Sequence, residues 1–312
     1  MKLDIDTVRT TFFDALRAHG MSEEQAESSA GVFLDAELAG KPSHGAFHLL
    51  TYLSALDNSS INGQANPTAT ARGSVLAIDA DDGLAQFALE KHRDQLLDIA
   101  RTNGVAVAAV RKTYTTGELG WYARFFARHG LISLTTTNSP ALVTLNASGE
   151  RVVGTNPVTF GIPEAMVVDQ AATPAAFMRV RQHAERGEPL RQGWAVDAAG
   201  RPTDDASVAV DEGALLPNGG HRGGNLALVF EMLAMLAGGE SSKSAAKRGD
   251  EPPRVGLFAL VIDPDFFGAG ALGRLQAHLA TLADEHEVYI PGRTRPAPAE
   301  LDIDDATWEK LA

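Results

Sequence analysis

From Val75 onward the chain alternates short β-branched or apolar runs with stretches of helical periodicity: Val75 to Ile78, Ala85 to Thr102, Val105 to Val110, Leu119 to His129, Leu131 to Thr136 and, further on, Val255 to Ile262. Strand-like runs that take turns with amphipathic helices bury both faces only as layers, with helices packed on a sheet. The alternation therefore predicts an α/β architecture. A chain of 312 residues is long enough for one large domain or two medium ones with a sizeable core. No internal repeat interrupts the pattern.

Before Pro67 the texture is different. Val8, Phe12, Phe13 and Leu16, then Ala26, Val32, Phe33 and Leu34, recur at helical intervals between Asp6 and Ala39. This predicts two helices joined at Gly20-Met21-Ser22, with Ser22 as N-cap and Gln25 at the capping-box position. The loop Gly40-Lys41-Pro42-Ser43-His44-Gly45 breaks the pattern, and Phe47 to Leu56 resumes it. At the other end, Gly238 to Pro253 is polar and of low complexity and predicts a mobile loop, because Val255 to Ile262 after it is a buried strand. A short terminal helix is expected over Asp302 to Leu311.

Composition removes whole classes of function. Hydrophobic residues at 44% and charged residues at 21% are those of a globular chain. A net charge of -13, from 27 Lys+Arg against 40 Asp+Glu, argues against a nucleic-acid partner. The absence of Cys eliminates disulfides, thiolate metal sites and thiol nucleophiles. With no signal-like start and no run approaching about 18 apolar residues, the expectation is an unexported, cytoplasmic protein with no membrane partner.

Several polar clusters inside apolar contexts are candidate sites. In the first loop, His44 is suited to acid-base work, Ser43 adds a hydroxyl, and Gly45 permits close backbone approach. Gly154-Thr155-Asn156-Pro157 offers an amide, a hydroxyl and free N-H groups, or forms an ordinary Asn-Pro turn. Gly219-Gly220-His221-Arg222-Gly223-Gly224-Asn225 opens the helical stretch Leu226 to Ala237 and has the character of an anion site, with Arg222 as a fixed charge. It is not G-x-G-x-x-G, so no Rossmann site is indicated. Asp197, after Gly193-Trp194-Ala195-Val196, could orient an imidazole or serve only as a turn residue before Gly200. The nine His residues show no metal-ligand spacing, His44 with His48 being the nearest to a pair, and no metal is expected.

Taken in order, these motifs resemble the type-2 malate/L-lactate dehydrogenase family, which includes ureidoglycolate, sulfolactate and cyclic-ketimine oxidoreductases. The resemblance runs through Asp35-Ala36-Glu37, Ser43-His44-Gly45, Val105-Ala106-Val107, Gly117-Glu118-Leu119-Gly120, Thr137-Asn138-Ser139 and Gly154-Thr155-Asn156-Pro157. It continues through Gly193-Trp194-Ala195-Val196-Asp197 with Gly200-Arg201-Pro202-Thr203, then Gly213 to Glu231, and ends at Pro291-Gly292. The segments Tyr114 to Gly120 and Gly213 to Ala234 look closest to the branch of ketimine-carboxylate reductases and sulfolactate dehydrogenases.

The resemblance implies a three-layer α/β/α fold with a mixed sheet, a non-Rossmann nucleotide-binding fold, plus a smaller helical domain. The helical domain would span residues 1–70, joined by the segment 285–312, and the NAD(P)-binding domain residues 71–284. The implied protein is a homodimer with its site near the subunit interface. By carry-over, the catalytic residues are His44 as proton donor or acceptor, Asp197 as its partner, and Ser43. His48 and Thr155 would meet substrate. The cofactor, NADPH slightly favoured over NADH, would lie along Thr115, Thr116, Gly117, Asn138, Thr155, Asn156, Arg222, Gly223, Gly224, Asn225 and Leu226. Arg181 and His183, on the basic segment Arg179 to Arg186, could meet a 2'-phosphate, although an exposed helix face accounts for them more simply.

One departure bears on substrate. Many members place an Arg three residues after the Ser-His-Gly glycine, suited to a carboxylate by its bidentate fork, and here that position is His48. If His48 carried the role, carboxylate affinity would weaken between about pH 6 and 8 as the imidazole lost its charge. The expected function is reduction of a cyclic ketimine carboxylate or related 2-oxo acid. The alternatives are a 2-hydroxy acid dehydrogenase and a nucleotide-binding homologue that has lost redox turnover.

Overall fold

The computed structural model describes residues 1–146, 148–249, 251–293 and 298–312. At its centre is a seven-stranded sheet in the order Thr68–Arg72, Val75–Asp79, Val105–Thr113, Val255–Ile262, Ile132–Thr137, Val158–Ile162, Met166–Gln170. Val75–Asp79 and Val105–Thr113 run parallel, joined through helices Ala85–Lys91 and Arg93–Asn103. The remaining pairs are antiparallel, so the sheet is mixed.

The pleat sorts the side chains. Ala106, Ala108 and Val110 pair across to Val261, Ala259 and Leu257, and all six face the same buried layer. Leu76 and Ile78 extend it on the neighbouring strand. Alanines in the middle strands leave room for Leu89, Leu96, Tyr122 and Phe126 from Ala85–Lys91, Arg93–Asn103 and helix Gly120–Ala127. On the opposite face helix His221–Leu236 crosses Val255–Ile262 and Ile132–Thr137. It comes so close that a Cβ at Gly256 would overlap the Ala234 carbonyl. Helices thus cover both faces of the sheet, giving the expected three layers.

Helices Ile5–Ala18, Glu23–Leu38 and Ala46–Asp57 form a second core around Phe12, Leu16, Phe33, Leu49 and Tyr52. Leu301, Ile303, Trp308 and Leu311 pack into the same core. Ser22 caps the second helix by accepting the Gln25 N-H (3.3 Å), as expected. The reciprocal half of the box is absent, because the Gln25 amide donates to the Asn62 carbonyl.

Three other expectations are corrected. Ala85 to Thr102 is two helices, broken at His92, whose backbone leaves helical geometry (φ -110, ψ 16). The terminal helix shortens to Asp305–Trp308, because Glu300–Asp302 is drawn out as a strand against Lys2–Asp4. Gly238 to Pro253, apart from Asp250, which lies outside the described residues, is not a loose loop: it contains helix Ser242–Ala246. Its anchor is the buried carboxylate of Glu231, which accepts from the Ser242 backbone N-H and hydroxyl, both at 2.6 Å. Composition missed this because the fixing is done by a few specific contacts, the Ser242–Glu231 pair among them.

Candidate active site

The Ser43-His44-Gly45 loop is held from below by a carboxylate. Helix Glu23–Leu38 ends at Gly40 in the left-handed region (φ +71), and Pro42 starts a single tight turn over Pro42–His44. Glu37, one turn back, accepts the Ala46 N-H at 2.7 Å. A Cβ at Gly45 would overlap that carboxylate, so glycine is required by this close approach. His44 is thereby fixed at the wall of a cavity of about 830 Å³, within the usual range for ligand sites.

A buried ion network lies beside it. Lys41 sits between Glu118 (2.8 Å) and Asp169, while Arg124 bridges Glu118 to Asp35, its Nε donating at 2.7 Å. The Glu118 side chain is only 1% exposed. Burial opposes its ionisation, but Arg124 and Lys41 overcome this and hold it down to about 2. Burial and the Glu118 charge together push Asp169 up to about 6, against the pull of Lys41. His44 goes the other way: burial pushes it down to about 4, only partly offset by Glu118. Its Nδ1 lies 3.1 Å from the Ser43 hydroxyl, and no hydrogen bond from the described residues engages Nε2. The imidazole at neutral pH is therefore uncharged, with one ring nitrogen available.

His48 follows one turn later and packs edge-on against His44 and Tyr52, at ring separations of 5.6 and 4.9 Å. Burial, with His44 and Arg181 nearby, lowers it well below the ordinary histidine value. The expected titration of His48 between pH 6 and 8 is thus corrected. An imidazole enclosed by aromatic rings stays neutral throughout that range and supplies no cation for a carboxylate.

The other candidates divide. Thr115, Thr116, Gly117, Asn138 and Thr155 line the same cavity as Ser43, His44 and His48. The left-handed Gly117 (φ +61) sits where a Cβ would press on the Gln86 amide. Asn138 reaches the wall, but its amide is spent on the Glu240 carbonyl and the Gly256 N-H. Asn156 is fully buried and does not line the cavity: it donates to the Ala227 carbonyl and to Glu231, both at 2.9 Å. Its work is to hold Thr155 in place, as is that of Ser242, whose hydroxyl accepts the Gly154 N-H.

Asp197 is not brought to His44. It closes the turn between strands Ala195–Val196 and Pro202–Thr203, accepting from the Ala199 and Arg201 backbone and from the Arg201 side chain. Those bonds lower its pKa, and the turn role prevails over the expected pairing. Arg222, Gly223, Gly224, Asn225 and Leu226 also lie outside the cavity lining, to which the same turn contributes Asn218. Gly223 is needed because a Cβ there would strike the Asn218 backbone. Of the basic segment, Arg179 and Arg181 line the cavity, and His183 turns to the Pro189 carbonyl.

A family model described as malate/L-lactate dehydrogenase matches residues 3–311. The chain belongs to the malate/L-lactate dehydrogenase family. Within it, the chain is 32% identical over 310 residues to a (2R)-3-sulfolactate dehydrogenase (NADP(+)) of Chromohalobacter salexigens, covering 95% of this chain and 93% of that one. It is 37% identical over 275 residues to a Delta(1)-pyrroline-2-carboxylate/Delta(1)-piperideine-2-carboxylate reductase of Pseudomonas syringae pv. tomato, covering 85% and 79%. The crystal structure of a piperideine-2-carboxylate reductase from that organism superposes with a TM-score of 0.91 at 32% identity, covering 100% of this chain and 98% of the other.

For a member of the malate/L-lactate dehydrogenase family, the lining has suitable chemistry for a nicotinamide dinucleotide. Thr115, Thr116, Ser139, Thr155 and Thr173 offer hydroxyl donors and acceptors, and Arg179 a guanidinium. Reading the sequence missed Lys41, Glu118, Asp169 and Arg124 as a unit. Glu118 stood in a noted motif, but nothing along the chain says that residues 41, 118, 124 and 169 meet.

Proposed function

We propose that the protein is an NAD(P)H-dependent reductase of a cyclic 2-imino carboxylate, a five- or six-membered ketimine acid. The observation that carries this is the uncharged His44 on the cavity wall. A reduced nicotinamide, when bound, supplies hydride. A 2-oxo acid also needs a proton on oxygen, for which a neutral imidazole is a poor acid, whereas a basic imine nitrogen arrives with its own and asks only for a hydrogen-bond acceptor. Ser43 fixes the ring, Thr155 is placed to meet substrate, and Thr115, Thr116, Gly117 and Asn138 line the cofactor's path. Reductases of pyrroline- and piperideine-2-carboxylate from three Pseudomonas species, 37%, 34% and 32% identical, support the reading.

The same neutral imidazole favours a second reading, oxidation of a 2-hydroxy acid, in which His44 accepts the hydroxyl proton. The deciding experiment follows absorbance of NADH and NADPH with pyruvate, oxaloacetate, sulfopyruvate and the two cyclic imino acids. Faster loss with the cyclic imino acids is expected. Loss with a 2-oxo acid alone transfers the assignment to the second reading, and no loss with any of them overturns both.

The reading includes a cytoplasmic homodimer. No helix among the described residues is long and apolar enough to cross a membrane. Helix His221–Leu236 nevertheless exposes Leu228, Val229, Met232 and Met235, with Leu236 75% exposed, a stripe that calls for cover by a second copy. Arg222 to Leu226 open that stripe, where a second subunit would meet them. Light scattering is expected to give twice the 33.0 kDa chain mass; a single-chain mass would rule the dimer out.

A further inference from the structure

We infer that Arg181 is the specificity residue that recognises the substrate carboxylate, on the reading above that the substrate is a carboxylic acid. Charge accounting leads to it. Lys41 is held between two carboxylates, so the Lys41, Glu118 and Asp169 corner adds no net positive charge when all three are ionised. His48, at the position where an arginine would serve, is buried and neutral, its Nδ1 without a hydrogen-bond partner among the described residues. Arg179 stacks over the Trp194 ring at 5.6 Å. Among the described residues Arg181 has a single ion-pair partner, Glu185, at the 4.0 Å limit, and its side chain is 35% exposed.

Its position fits the role. Helix Phe177–Arg186 packs against the Pro42–His44 turn, and Arg181 lines the cavity that His44 also lines. The guanidinium charge is felt at both His48 and Tyr114, whose rings flank Tyr52 at 4.9 and 5.3 Å. That places a permanent cation at the His44 end of the cavity, supplied by a neighbouring helix instead of by position 48. A guanidinium offers the paired donors that a carboxylate accepts and never loses its charge in the working range. The other cations of the lining are Lys41, paired to Glu118 and Asp169, and Arg179, which stacks on Trp194.

The test compares wild type with Arg181→Met and Arg181→Lys, using two readouts. In turnover, KM for an accepted 2-imino or 2-oxo acid should rise about tenfold to a hundredfold in Arg181→Met, with kcat changed far less and partial recovery in Arg181→Lys. In binding, pyridine-2-carboxylate, an unreactive planar analogue, should bind the NADPH-loaded protein more weakly by the same factor, while Trp fluorescence reports unchanged affinity for NADH and NADPH. Unchanged binding of the analogue, or none by wild type, overturns the inference. So does a loss of NADPH affinity with NADH spared, which would assign Arg181 to a 2'-phosphate. If wild type turns over none of these acids, the proposed function fails, and analogue binding still decides the role of Arg181.

Discussion

His44→Ala is expected to lower kcat/KM by about 10²- to 10⁴-fold while leaving the affinity for reduced nicotinamide dinucleotide within a few-fold. The loop that carries His44 is set by the Glu37 carboxylate on the Ala46 N-H and by Pro42, neither of which the substitution touches, so the cavity should keep its shape. The sign of the pH dependence follows from the lowered pKa. Burial puts the imidazole's proton loss near 4 in the free protein, so kcat/KM in the oxidative direction should rise through about pH 4 and be level in this group above it. In the reductive direction, a 2-oxo acid should be handled better as pH falls toward that value. A ketimine, which carries its own proton, should follow its own ionisation instead. The same profiles measured in His44→Ala check this: equal turnover in both proteins would remove His44 from the chemistry.

Much of the architecture was legible along the chain because it depends on local periodicity. The strand Val255–Ile262 appears with the expected bounds, and the Ser22 cap falls where hydroxyl chemistry puts it. The break at His92 was invisible, since the apolar spacing runs on through it and only the backbone departs. The site divides along the same line. Ser43, His44 and Thr155 sit in short polar segments between helices or strands, and polar loops in apolar surroundings are conspicuous in a sequence, whereas Thr115 came only with the family resemblance. Asp197 misled because a carboxylate that closes a turn and one that orients an imidazole look alike until the Arg201 contact is seen. Arg181 was readable only as part of a basic helical segment, because the cavity it lines also draws on residues as distant along the chain as Lys41 and His44.

The ion network is the strongest case of information carried by meeting, and it sets the second large expected effect. Arg124→Met should destabilise the fold by about 3–5 kcal/mol at neutral pH, read as a lower denaturant midpoint at unchanged slope. Arg124 has a quarter of its side chain exposed and holds Asp35 and the almost fully buried Glu118 together. Its removal leaves Glu118 with Lys41 alone, and Lys41 is already shared with Asp169. Loss of one partner from a buried pair costs far more than loss of a surface pair, because the remaining charge keeps its desolvation without its compensation. Arg128→Met is the control: that side chain is 55% exposed and lies 3.5 Å from the same Asp35, so the change should cost less than about 1 kcal/mol. The pH dependence fixes the cause. Glu118 is depressed from 4.5 to about 2, so its contribution is complete above pH 4.5 and is lost as pH falls toward 2. The deficit of Arg124→Met relative to wild type should therefore shrink on acidification through that window. A deficit that stays constant from pH 7 down to 3 would mean that Arg124 acts through its packing on helix Gly120–Ala127, and that the charge network beside His44 adds nothing to the fold.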